Sequence, residues 1–371
     1  MAWQSRCLAA GLAYSGLQPG TRVALLSPNR PEWLVACFGL IQAGAVPVLI
    51  DAQIGREVLA HVLDDSGASW VFSVSDRLDS LPRQNGGHEL QTVLLDATDD
   101  HPDSWRRFLA NEPRQPHDMA ADDTAVLFYT SGTSGAAKGV PLSHRNLACN
   151  IQAIIELDVL KPTDRILLPL PLHHVYPFTV GMLVPLASGV PVILPWSLSG
   201  PQIVRAMSEA HVTFVLGVPR IYAGLVSAIQ DRVAHRGRLA ALLFRATLAV
   251  STILRKRTGV RIGRRLFSRL HRQLAPNLST VISGGAPIDP ELARTLEGLG
   301  WRFANGYGLT ETSPVLSFNE PDRARIGTVG RPLPGVELRI AEPEGGRTHG
   351  EILARGANVF SGYWNLPEKT L

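Results

Sequence analysis

The chain has 371 residues, 45% of them apolar and 18% charged, a balance that allows a large buried core and excludes an intrinsically disordered chain. Its net charge of +4 is unevenly spread: twelve Lys or Arg and no acid fall between Arg232 and Arg272, so the remainder carries −8. Cys7, Cys37 and Cys149 are odd in number and far apart, which excludes a disulfide framework or a CxxC metal site and fits a cytoplasmic, reducing compartment. The N-terminus lacks a signal-peptide plan and the most apolar stretches, such as 180–196, are broken by Pro and Gly, so no membrane-spanning helix is expected.

In chain order, Gln4 to Ser15 reads as a helix and Arg22 to Ser27 as a strand. A helix from Pro31 to Ala43, a strand at Val46 to Ile50, a helix at Arg56 to Asp65 and a strand at Trp70 to Val74 follow. Such βα alternation predicts a mostly parallel sheet covered by helices. Residues 79–121 are polar and proline-rich, with a strand only at Thr92 to Leu95, and read as a surface connection with a boundary between two sheet subdomains near 79–123. Alternation restarts with a buried strand at Thr124 to Tyr129 and continues through helices at Arg145 to Leu157, Phe178 to Leu186 and Gln202 to Ala210. The intervening strands are Arg165 to Leu170, Val190 to Leu194 and Thr213 to Val218, after which Pro219 opens another helix. Ser279 to Ser283 is a strand, Pro290 to Leu299 a helix and Arg302 to Ala304 a strand. From Pro321 the pattern changes to short alternating strands at Gly335 to Ile340, Gly350 to Ala354 and Gly362 to Asn365. The fold expected is α/β: two stacked, mostly parallel sheets over residues 1–320 and the start of a small β-rich subdomain over 321–371.

The stretch Thr130-Ser131-Gly132-Thr133-Ser134-Gly135-Ala136-Ala137-Lys138-Gly139 carries the chemistry. Glycines bring backbone close to a ligand, hydroxyls donate hydrogen bonds, and the lysine adds a mobile positive charge, the combination suited to phosphates. It is not a Walker A loop, which needs glycine at Ala137 and a hydroxyl residue at Gly139. A flexible Gly/Ser linker is the alternative, though linkers seldom sit between a buried strand and a lysine-bearing turn.

Tyr129 to Val140, followed by Leu142 to Leu147, resembles the signature loop of the AMP-forming adenylate synthetases, which include acyl-CoA synthetases and luciferases. Ala137 stands where proline usually precedes the family's lysine. Asn305-Gly306-Tyr307-Gly308-Leu309-Thr310-Glu311 resembles the second hallmark, against the plainer reading of a helix-capping Thr-Glu. Ser283-Gly284-Gly285-Ala286-Pro287 matches the adenine and acyl pocket, and Pro169 to Tyr176 the histidine motif, with His174 aligned and His173 beside it. Gly217-Val218-Pro219-Arg220, Gly327 to Gly335 and Gly362 to Thr370 also follow the family order, so ordered matches run from about Leu8 to Thr370.

The resemblance implies ATP-dependent activation of a carboxylic acid, a medium- or long-chain fatty acid, to an acyl-adenylate and then to a coenzyme A thioester. It implies Lys138, His174, Thr310 and Glu311 as catalytic groups, with Glu311 a Mg²⁺ ligand. It implies ATP and AMP contacts from 130–135, Lys138, 284–286, 305–308 and Thr310, and an acyl pocket at His174, Val218, Gly285 and Gly308. The family's ribose-holding aspartate, hinge and mobile C-terminal domain do not occur in these residues, so the expectation is a truncated chain with poor thioester formation. A non-catalytic acyl-adenylate or lipid-binding remnant, and an acyl-AMP or acyl-carrier-protein ligase, are the alternatives. The arginine-rich segment 240–274 resembles the extension of the long-chain branch and suits peripheral contact with an anionic inner membrane face, or else a solvated helical hairpin. Nucleic-acid binding is not expected, because no aromatic interleaving or recognised module accompanies the basic residues.

Overall fold

The computed structural model describes residues 1–130, 137–342 and 349–370. Strands such as Arg22–Leu26 (RVALL), Val46–Ile50 (VPVLI) and Trp70–Ser73 (WVFS) are almost entirely buried, the signature of parallel strands covered on both faces. They form a six-stranded sheet in the order Gln91–Leu94, Trp70–Ser73, Arg22–Leu26, Val46–Ile50, Thr124–Thr130, Lys138–Ser143. All neighbours are parallel except the last pair, which is antiparallel with Thr130 opposite Lys138.

A second, seven-stranded sheet runs Val192–Ile193, Ile166–Leu167, Phe214–Gly217, Thr280–Ser283, Arg302–Gly308, Val315–Asn319, Arg331–Pro332. Its first five strands are parallel and its last two antiparallel. One hydrophobic cluster joins the sheets, with Leu25, Trp33 and Phe128 from the first unit and Leu168, Phe178 and Leu216 from the second. Edge-to-face contacts of Phe178 with Trp33 (6.3 Å) and Phe128 (5.4 Å) lie at its centre. A two-stranded ribbon, Glu337–Ile340 with Ile352–Arg355, follows.

Four readings change. The strand Thr124–Thr130 pairs with Val46–Ile50, so the segment 79–123 does not separate the sheets; the change of sheet falls between Ser143 and Ile166. Lys138–Ser143 is a strand although Pro141 breaks its local pattern, and it is tolerated because the strand lies at the sheet edge. Gly362–Asn365 forms no strand, since its backbone and side chains bond instead to Gly139 and Asp65. The helix expected from Phe178 begins as a π-helix over Pro177–Leu183 and becomes α-helical at Val184–Ala187.

Candidate active site

The carboxyl ends of two first-sheet strands, Leu49 to Asp51 and Phe128 to Thr130, open on a cleft of about 360 Å³. Its other walls are Val58 and Val62, Ala137, His173 to Val175, and Thr310. Ligands bind at this end of strands in open α/β sheets. The cleft therefore gathers Thr130, His174 and Thr310, which are 180 residues apart from first to last. The expected phosphate contacts Ser131, Gly132, Thr133, Ser134 and Gly135 lie outside the described residues.

The two flanks of that loop are fixed. Tyr129 Oη donates to Asp65 Oδ2 at 2.6 Å, and burial together with this carboxylate pushes the phenol well above its ordinary range. His61 Nε2 lies 3.0 Å from the Ala137 carbonyl. Beyond Lys138, Trp364 N donates to Gly139 O at 2.9 Å, while Trp364 Nε1 and Asn365 Nδ2 each donate to Asp65 O at 3.0 Å. Glycine is required at 139, because a Cβ there would stand 2.7 Å from Trp364 Cβ. The segment after Gly362 thus clamps the strand that carries Lys138.

Tyr363 stands between two of the expected catalytic groups. Its hydroxyl donates to Glu311 Oε1 at 2.8 Å, and Lys138 Nζ lies 5.1 Å from its ring centroid. Burial and the Glu311 carboxylate push this phenol up to about 12. Phe360 N donates to the Glu311 carbonyl at 2.9 Å, and the Phe360 ring meets Tyr363 edge-on at 4.9 Å.

Glu311 belongs to the 3₁₀ turn Thr310–Thr312, which is over-determined by asparagines. Asn358 Nδ2 donates to Thr312 O at 2.9 Å and Ser313 Oγ to Asn358 O at 2.9 Å. Asn150 grips both backbone groups of Val315, at 2.7 and 3.2 Å. One turn earlier on the same helix, Asn146 donates to Ala357 O and Val359 O at 2.8 and 3.1 Å. Asn146, Asn150, Asn358 and Tyr363 are site-supporting residues that the sequence reading did not single out as such, and only Asn146 had a local signal, the Ser143-x-x-Asn146 capping box.

The histidine loop is pinned from the first sheet, since Asn29 donates to Leu170 O at 2.7 Å and accepts from Leu172 N at 2.8 Å. The rings of His173 and His174 are 4.2 Å apart. Burial lowers both below the usual histidine range, His173 further because His174 adds repulsion, and Asp51 only partly opposes the shift. Asp51 Oδ2 is 3.9 Å from His173 Nε2, too far for a hydrogen bond.

Other expected residues fall beside the cleft or are committed elsewhere. Tyr176 occupies the space a side chain at Gly284 would need, with Cζ 2.6 Å from a Cβ built there, and its hydroxyl lies 3.4 Å from Gly217 O and Ile282 O. Gly285 and Ala286 are exposed, and Val218 Cγ1 is 3.7 Å from a Cβ built on Gly285. The Asn305 amide is bonded to Thr328 O and Asn319, so its side chain serves the sheet. Gly308 is demanded by Pro314, whose carbonyl oxygen would lie 1.6 Å from a Cβ; Gly306 and Tyr307 continue the strand toward the turn. Behind Leu216 and Ile282 lies a separate apolar cavity of about 270 Å³, also lined by Ile154, Val180, Val184 and Phe318.

Among the described residues no cluster of three metal-binding side chains occurs. The Glu311 carboxylate, bonded to Tyr363 whose ring also faces Lys138, suits Mg²⁺, which keeps few protein ligands and is completed by substrate phosphates and water.

Fold and site together define a two-sheet α/β protein with a ligand cleft at the carboxyl ends of its first-sheet strands. The model of the AMP-binding enzyme family matches residues 1–364, and the chain belongs to that family. A feruloyl-CoA synthase of Amycolatopsis sp is 33% identical over 98% of this chain and 65% of its own length. A long-chain-fatty-acid–CoA ligase, FadD15, of Mycobacterium bovis is 30% identical over 99% of this chain and 63% of its own. The chain therefore spans about 65% of the length of these curated relatives. Among solved structures, apo MatB from Rhodopseudomonas palustris superposes with a TM-score of 0.77 at 28% identity, over 99% of this chain and 66% of that one. A long-chain-fatty-acid–CoA ligase from Archaeoglobus fulgidus shares the fold, with a TM-score of 0.79 at 23% identity, over 99% of this chain and 69% of that one.

Proposed function

We propose that the chain carries the adenylate-forming site of an acid–thiol ligase acting on an apolar carboxylic acid. A carboxylate oxygen attacks the α-phosphorus of ATP as the bond to the bridging oxygen of pyrophosphate breaks. A thiol, coenzyme A, then attacks the acyl carbon; AMP leaves and the thiol proton passes to solvent. The observation that carries the reading is the convergence of Thr130, His174 and Thr310 on one cleft, with Lys138 and Glu311 meeting at Tyr363.

In-line phosphorus chemistry asks mainly for positioning and charge stabilisation. Lys138 supplies a cation next to the loop, Thr310 a hydroxyl-bearing residue in the cleft wall, and Tyr363 fixes one Glu311 oxygen. Mg²⁺, when bound with the nucleotide, would neutralise phosphate charge beside Glu311. His174, kept neutral by burial, can orient a carboxylate-bearing substrate by hydrogen bonding without forming an ion pair. The separate apolar cavity behind Leu216 and Ile282 has a lining suited to a fatty or aromatic acyl group rather than a charged one. The relatives named for feruloyl and for long-chain fatty acids favour testing both acid classes. The alternatives of a binding remnant, an acyl-AMP ligase or an acyl-carrier-protein ligase differ in the product formed. Peripheral contact of 240–274 with an anionic membrane belongs to the same proposal.

The test is mass-spectrometric detection of acyl-AMP after incubating the chain with MgATP and a panel of fatty and hydroxycinnamic acids, followed by addition of coenzyme A. Acyl-AMP formed by the parent chain and lost in Lys138→Ala and Glu311→Ala supports the assignment. Absence of acyl-AMP with every acid, despite measurable ATP binding, would replace it with the binding-remnant alternative.

A further inference from the structure

The helix Arg238–Thr258 faces two ways. Its inner side is seated tightly on the helix Pro290–Leu299: Phe244 and Leu248 pack against the second core cluster, and Ser251 Oγ donates to Gly298 O at 2.7 Å. Arg255 pairs with Glu297 at 3.1 Å. With about 100° of rotation per residue, Leu239, Leu242, Leu243, Ala246, Val250 and Ile253 fall on the opposite side. These are the residues left in water: Leu239 is 70% exposed, Leu242 65%, Leu243 59%, Val250 58% and Ile253 53%. An uncovered apolar stripe running the length of a helix marks an interaction surface.

The charges beside the stripe identify what covers it. Arg238, Arg245 and Lys256 are exposed along one flank, Arg257 ends the stripe, and no acid occurs from 232 to 272. Such a face is complementary to a surface that is apolar beneath and anionic on top. A second copy of the same face would bring like charges together, which disfavours self-association through it.

We propose that the outward face of the helix Arg238–Thr258 is a docking surface for an anionic lipid membrane, the helix lying in the interface with its leucines in the acyl region and its arginines at the headgroups. No described helix is long and apolar enough to cross a membrane, so the contact is peripheral. This narrows the membrane contact proposed above for 240–274, on which it rests. Residues 263–274 turn Gly263, Phe267 and His271 into the interior, and the proposal is confined to the helix Arg238–Thr258. The contact is independent of the acid-activating chemistry.

The experiment is sedimentation of the 371-residue chain with vesicles of phosphatidylcholine alone and of phosphatidylcholine mixed with phosphatidylglycerol. Expected are binding to the mixed vesicles only, weakening with salt, and a loss of roughly tenfold or more in the Leu242→Ser/Leu243→Ser variant. Arg245→Glu/Lys256→Glu should also weaken binding, and an unchanged thermal midpoint of both variants shows that the fold is intact. The proposal is overturned if the parent chain ignores anionic vesicles or if the serine variant binds as well as the parent. It is equally overturned if the stripe instead mediates concentration-dependent self-association that the serine variant abolishes. No nucleotide or acid is added, so failure here and failure to form acyl-AMP are separate results.

Discussion

Replacing Tyr363 with phenylalanine removes one oxygen atom from the candidate site and leaves the ring that faces Lys138 and Phe360. The lost interaction is the 2.8 Å hydrogen bond to Glu311 Oε1. Hydrogen bonds to charged groups contribute about 1.5–3 kcal/mol. The Glu311 backbone stays held by Phe360, so the substitution releases the carboxylate and leaves the turn in place. A freed glutamate must be re-ordered on binding, at a cost of up to about 1.5–2 kcal/mol, which corresponds to a fall of roughly tenfold or somewhat more in Mg²⁺-dependent affinity. Titration calorimetry of ATP with the purified chain, with Mg²⁺ and with EDTA, separates the effects. Tyr363→Phe should weaken binding only when Mg²⁺ is present. Tyr363→Ala also removes the cation–π contact of Lys138, worth about 0.5–1 kcal/mol, and should weaken Mg²⁺-free binding by a further few-fold. Equal losses in both media for Tyr363→Phe, or no loss at all, would refute Glu311 as the carboxylate that meets the metal.

Lys138→Ala should lower acyl-AMP formation by on the order of 10²- to 10³-fold, read in a single-turnover assay, without changing the urea midpoint. Asn150→Ala leaves the Val315 N–H without its side-chain partner and Val315 O with only the longer 3.4 Å bond from Asn358, and should destabilise the chain by about 1–3 kcal/mol in urea unfolding; a change under about 0.5 kcal/mol would mean that other groups hold the Thr310–Thr312 turn. Gly139→Ala should dislodge Trp364 from its 2.9 Å bond to Gly139 O, seen as a red shift of tryptophan fluorescence and earlier cleavage near the C-terminal end by protease. His144, His173, His174 and His271 are all held below the ordinary value of 6.5, so the unfolded chain binds more protons in mild acid. Their contribution to stability is complete above 6.5 and is lost as pH falls through that value toward the folded-state pKa values. Urea unfolding at pH 7.5 and 5.0 should show the decline, and His173→Gln/His174→Gln should reduce its slope.

Much of the architecture was legible because the strands are short apolar runs and the helices carry their own start signals. Pro31, Pro219 and Pro290 each open a helix where proline is favoured, and Asp289 caps the last of these at 2.9 Å. The strand before the phosphate-type loop was readable as a local pattern, the histidine motif and the Thr310–Glu311 turn through their resemblance to the family's motifs, and the fold brings Thr130, His174 and Thr310 to one cleft. Lys138–Ser143 was missed because Pro141 argues against a strand until an edge position makes it harmless. Gly362–Asn365 read as a strand because Tyr and Trp favour strands, yet those rings are spent on Glu311, Lys138 and Asp65.

The sequence alone determined the α/β class, most of the element types and the residues that bear charge and hydroxyls, because these follow from hydrophobic period and side-chain chemistry within a few residues. Only the tertiary structure decided the partners. Asp65 meets Trp364, Asn29 meets Leu170, Asn150 meets Val315 and Tyr363 meets Glu311 across 52 to 299 residues, through hydrogen bonds that have no local signature. Such contacts form once two sheets share a core and bring distant loops to the same strand ends. The outward leucines of Arg238–Thr258 follow the same logic: the sequence showed arginines interleaved with apolar residues over 240–274, and packing against Pro290–Leu299 decided which face remained in water.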